Sequence, residues 1–69
     1  MKYRIILRHN TVWVQPRVAV LDHWPAITES EAIEITDWVA RMSIGHRVAY
    51  DRWNLNSKQA VMMFMLRWQ

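Results

Sequence analysis

The sequence has no cysteine and only one glycine, Gly45. The first absence excludes disulfide staples and thiolate metal sites. The second excludes glycine-rich loops that cradle phosphates. Long apolar runs are missing too. A membrane-spanning helix needs roughly 20 apolar residues, whereas the run Ala60 to Leu66 stops at Arg67. Near the N-terminus, Ile5-Ile6-Leu7 is bounded by Arg4 and Arg8, which is not a signal-peptide core. These absences argue for a cytoplasmic protein that does not enter a membrane. There is no repeat, low-complexity segment or linker, so the expectation is one domain over residues 1–69.

A chain of 69 residues buries a smaller share of its surface than a typical domain. Large apolar side chains must compensate, and five tryptophans and five methionines are present. The formal charge is +3, unevenly spread. Residues 1–20 carry +4 with no acid, residues 21–40 carry −5 with no base, and residues 41–69 carry +4. Such blocks either steer a partner or satisfy one another inside the fold.

Periodicity gives the elements. Tyr3, Ile5 and Leu7 alternate with Lys2, Arg4, Ile6 and Arg8, as in a half-covered strand. His9-Asn10 suits a tight turn, with Asn10 tolerating positive φ. In the next run, Val12, Val14, Val18 and Val20 share one face, and Thr11, Trp13, Gln15 and Arg17 share the other. Pro16 cannot donate to a ladder, so this strand is expected at an edge or bulged. Residues 22–27 read as a loop. Thr28-Glu29-Ser30-Glu31 fits a capping box, opening a helix from about Glu29 to Ser43. Ala32, Ile35, Val39 and Met42 form its apolar stripe, with Trp38 alongside. Gly45 suits a left-handed helix terminator. His46 to Trp53 reads as a third strand. Asn56 or Ser57 then caps a helix through Ala60 to about Leu66, although Phe64 to Trp68 fits a strand equally well. The expected fold class is therefore α+β. A small antiparallel sheet, made of an N-terminal hairpin plus a third strand, packs with two helices in the order β-β-α-β-α.

No chemistry emerges. His9, His23 and His46 match no metal-ligand spacing. Ser30, Ser43 and Ser57 fall at helix ends, where capping explains them. Glu29, Glu31, Glu34 and Asp37 read as a solvated helix face. No enzyme activity, cofactor or metal is expected.

Two binding surfaces remain. Val61, Met62, Met63, Phe64, Met65 and Leu66 are apolar all round a helix, which a small domain has little material to cover. Aromatics and methionine are enriched at interface centres. The leading expectation is thus a non-enzymatic protein-binding module using Trp13, Trp24, Met62, Met65 and Trp68, with Arg67 and Arg17 as polar anchors. A phage- or mobile-element-type inhibitor or modulator of a host protein complex fits this size. The alternative is a small nucleic-acid-binding protein using Lys2, Arg4, Arg8, Trp13 and Arg17 on a basic strand face. A third reading makes the apolar C-terminus the self-interface of a homo-oligomeric structural subunit.

Overall fold

The computed structural model describes residues 3–17 and 26–69. Trp24, Lys2, His23, Val18 and Val20 lie outside them. Among the described residues the elements are β1 (Tyr3–Arg8), β2 (Thr11–Pro16), α1 (Glu29–Met42), β3 (Gly45–Ala49), β4 (Arg52–Leu55) and α2 (Lys58–Trp68). The fold is α+β, with one four-stranded antiparallel sheet in the order β1-β2-β4-β3.

The N-terminal hairpin forms as its alternation dictates. β1 and β2 pair from Tyr3↔Pro16 to Arg8↔Thr11, which leaves His9-Asn10 as the turn. The positive φ falls on His9, at 54°, and not on Asn10. The primed turns that suit hairpin twist require positive φ at their first central residue. β2 is an interior strand, contrary to the edge expected from Pro16. Val14 N–H donates to the Asp51 carbonyl on the β4 side at 2.9 Å. Two residues on, the Pro16 nitrogen points the same way, past the last β4 partner of β2. Its missing donor therefore costs no ladder bond there.

The expected third strand is in fact a second hairpin. β3 and β4 flank Tyr50-Asp51, and a bulge lies between Arg47 and Ala49. The Arg47 guanidinium holds this turn, donating to the Ala49 and Tyr50 carbonyls at 2.7–3.2 Å. The Tyr50 hydroxyl donates to the Ile27 carbonyl at 2.6 Å, which ties the turn to the entry of α1.

The capping box is present. Glu31 N–H donates to Thr28 Oγ1 at 3.1 Å, and Thr28 N–H donates to Glu31 Oε1 at 2.8 Å. Glu31 Oε2 accepts from the Tyr3 hydroxyl at 3.0 Å, so one carboxylate joins the start of α1 to β1. At the other end, Ser43 and not Gly45 takes the left-handed conformation (φ 56°). Its N–H donates to the Ala40 carbonyl, and Ile44 N–H donates to the Val39 carbonyl. That pattern closes a helix through its last carbonyls. Met42, expected in the apolar stripe, is 43% exposed, whereas Ala32, Ile35 and Val39 are buried. α2 is helical through Trp68, with Ser57 as its N-cap accepting from Ala60 N–H. That settles Phe64 to Trp68 as helix.

Both helices pack on one face of the sheet. Trp53 projects from β4 into the core, where its ring meets Phe64 of α2 at 6.3 Å. Its Nε1 donates to Thr36 Oγ1 of α1 at 3.1 Å. Tyr3, Val12, Val14 and Leu55 share that inner face and are buried.

Gly45 is required by proximity. A Cβ there would lie 2.2 Å from the Asn54 carbonyl oxygen and 2.9 Å from Leu55 Cα, both backbone atoms. Gly45→Ala is expected to force β3 from β4 and destabilise by at least ~1–3 kcal/mol. Urea unfolding measures this, and an unchanged midpoint would contradict the close approach. Tyr3 gives a pH signature. Burial, then the Glu31 carboxylate, hold its phenol above the ordinary value. Above about pH 10 the unfolded phenol ionises while the folded one keeps its proton. This contribution to stability is complete below pH 10 and is lost as the pH rises further. Tyr3→Phe should therefore flatten the alkaline limb of the stability profile relative to wild type. Parallel profiles would refute it.

Candidate functional site

The sheet separates two surfaces. On the helix side, α2 buries Ala60, Val61, Phe64 and Trp68. The opposite side of the same helix carries Leu66, 86% exposed, and Met62, 64% exposed, with Met63 beside them. Met65 packs partly against the core. From β1, Leu7 is 44% exposed, although its register points it toward the helices. Leu7, His9, Asn10, Lys58, Val61 and Met62 line an open cavity of about 520 Å³ between the hairpin turn and the start of α2. α2 carries Lys58 and Arg67 and no acid.

Trp68 is not part of any exposed surface. It is 1% exposed and packs against Tyr3 at 6.0 Å and Trp38 at 5.9 Å. The helix runs farther than Leu66, so Trp68 falls four residues after Phe64 and joins its buried stripe. Its indole nitrogen is buried without a hydrogen-bond partner. The Arg67 guanidinium lies 4.1 Å over the Trp68 ring, so this arginine is a lid on the core as well as an exposed cation. Trp13 is separated from Met62 and Met65 by the sheet.

The outer face is built by strand parity. The register aligns Ile6, Trp13, Arg52 and Ala49 in one row across the four strands. Arg8, Thr11, Asn54 and His46 form the next row, and Arg4 faces Gln15. Arg17 follows β2 and is exposed. The Arg52 guanidinium sits 4.5 Å over the Trp13 ring. Trp13 Nε1 donates to Asp51 Oδ2 at 2.9 Å, and Arg52 Nε lies 4.0 Å from Asp51 Oδ1. Asn54 Nδ2 donates to Thr11 Oγ1 at 3.2 Å. A cavity of about 410 Å³ opens among Ile6, Arg8, Thr11, Trp13 and Arg52.

No family model, curated protein or solved structure matches the chain.

The structure thus brings Arg4, Arg8 and Trp13 together, and adds Arg52, Thr11 and Asn54, which the sequence reading missed. Arg52 reaches this face only through β2–β4 pairing, a contact across 39 positions of sequence. Neither periodicity nor a local motif signals such a pairing. Among the described residues no group of three His, Cys, Asp or Glu side chains converges on a metal-sized site. No helix among them is long and apolar enough to cross a membrane.

Proposed function

We propose that the chain is a non-enzymatic protein-binding module that docks its partner on the apolar strip of α2 and the adjoining β1 edge. The observation that carries this reading is the exposure of Leu66 and Met62 on a helix whose other side is fully buried. Neither side chain has a core role. Covering a large aliphatic side chain is worth ~1.5–3 kcal/mol, so the pair supplies a substantial gross contribution to an interface. Methionine also adapts its shape to a partner.

The charges beside the strip narrow the partner. Lys58 and Arg67 stand at the two ends of α2, and no carboxylate lies on the helix. A segment with an apolar ridge flanked by acids complements this pattern. A second copy of α2 would bring its own cations to the same strip. Eleven residues also make a helix only ~16 Å long, a small base for a symmetric dimer. These points favour a different protein over the self-association reading. A small inhibitor or modulator of a larger complex, of the kind phages and mobile elements encode, would act in this way.

The test replaces the strip without disturbing the helix. Glutamine matches methionine and leucine closely in helix propensity, so a Met62→Gln/Leu66→Gln variant should unfold within ~0.5 kcal/mol of wild type. Tagged wild-type protein should retain a stoichiometric protein from the source cells or their host through nuclease and moderate salt, and the variant should lose it. Equal retention by both proteins would overturn the docking reading.

A further inference from the structure

We propose that the outer face of the sheet is a second, separate binding surface whose ligand is single-stranded nucleic acid. The inference goes beyond the docking of a protein on α2 and does not depend on it. Charge is the first support. Arg8 and Arg52 are exposed on this side, along with Arg4, and Arg17 is exposed just beyond the end of β2. Asp51 is the acid beside the Trp13–Arg52 pair, and its carboxylate already accepts from Trp13 and faces Arg52. The exposed acids Glu29, Glu34 and Asp37 belong to α1, on the other side of the sheet. The helix side also carries Arg41, Lys58 and Arg67, but the exposed α1 acids are kept off the outer face, so a polyanion approaching that face does not meet the acidic helix.

The second support is a flat surface beside those cations. Base–aromatic and base–guanidinium stacking tolerate any sequence, because every base has a π face. The Arg52 guanidinium, 4.5 Å over the Trp13 ring, and the ring itself supply the π surface. The neighbouring cavity of about 410 Å³ has an apolar wall, Ile6 and Trp13, and a polar one, Thr11 and Arg8. A base stacks on the Arg52 plane while Arg8, one row away, meets the adjoining phosphate. The Asn54 and Thr11 side chains stand in the Arg8 row as hydrogen-bonding groups for a sugar or base edge.

Size selects the single strand over the duplex. Four strands spaced ~4.8 Å apart make a face ~14 Å across between outer strand axes. The major groove is about 12 Å wide and admits a two-stranded ribbon or a helix. A four-stranded face does not enter it, and paired bases offer no π face to Arg52.

The experiment is fluorescence anisotropy with a labelled oligothymidylate of about 12 nucleotides, inside the site-size range of sheet-based binders. The same sequence as a duplex and a polyglutamate of similar charge serve as competitors. Phosphate contacts by Arg8 and Arg17 give a salt slope of about −1.4 for a single strand, so affinity should fall roughly 7-fold between 50 and 200 mM salt. Arg8→Gln should reduce the slope by about 0.7. Arg52→Gln and Trp13→Leu should each weaken oligonucleotide binding by roughly 5- to 150-fold, the range of one lost stacking contact. Neither should change polyglutamate binding by the stacking factor. Arg52 is exposed, so its variant keeps the test valid should Trp13→Leu fail to fold. Met62→Gln/Leu66→Gln should bind the oligonucleotide like wild type, which keeps this outcome distinct from that of the protein-docking test. Absence of binding at 50 mM salt, a duplex that competes better than the single strand, or polyglutamate that competes equally would each overturn the proposal.

Discussion

Trp53 is the residue on which the rest of the structure depends. Its indole is fully buried, and a buried indole N–H needs an acceptor. Thr36 Oγ1 supplies it, and the same hydroxyl donates to the Ala32 carbonyl at 2.8 Å. The ring meanwhile packs against Phe64. One side chain on β4 thereby fixes the position of α1 by a hydrogen bond and of α2 by ring contact. Trp38 completes the arrangement, edge-on to both Phe64 and Trp68 at 6.1 and 5.9 Å. Each such aromatic pair contributes ~0.5–1.5 kcal/mol beyond the area it buries. A domain with no disulfide relies on such contacts.

The direction of Trp53 also decides what remains outside. A strand alternates its side chains strictly. With Trp53 and Leu55 inward, Arg52 and Asn54 point outward, and β2–β4 pairing places Arg52 on Trp13. The helices are then used up on one side. α1 turns Glu29, Glu34 and Asp37 to solvent, while α2 turns Met62 and Leu66. A basic, aromatic sheet face and an apolar helix face therefore result from the same core. Two helices cover one face of the four strands, and α2 stays apolar at Met62 and Leu66 on the side that the core leaves uncovered.

Local patterns were legible in the sequence and non-local ones were not. The β1 alternation, the Thr28–Glu31 capping box and the Ala32, Ile35, Val39 stripe each follow from residues within a few positions, and each is present. The run from His46 to Trp53 hid two strands, because Tyr50-Asp51 contains no glycine or asparagine to mark a turn. Its geometry is held instead by Arg47 reaching back to two carbonyls. The bulge at Val48 also breaks the alternation that periodicity needs. By residue type Gly45 suggests a left-handed terminator, but its role is absence of bulk against Asn54 and Leu55, a contact across the β3–β4 hairpin. A helix ending near Leu66 leaves Trp68 outside it, whereas α2 runs through Trp68 and buries it. For the two proposed surfaces, the position of Met62 on the exposed strip and of Arg8 with Trp13 on the outer face is readable from helix and strand parity. That of Arg52 is not, since it depends on which strands become neighbours.

The measurement that bears most directly on the division of surfaces is an NMR titration with a short single-stranded oligonucleotide. It should follow backbone amides, arginine Nε–H groups, the Trp13 indole and the methionine and leucine methyls together. The account predicts shifts at Arg8, Thr11, Trp13, Arg52 and Asn54, with Met62 and Leu66 unmoved. Shifts centred on Met62 and Leu66, with the Trp13 and Arg52 signals unchanged, would contradict it.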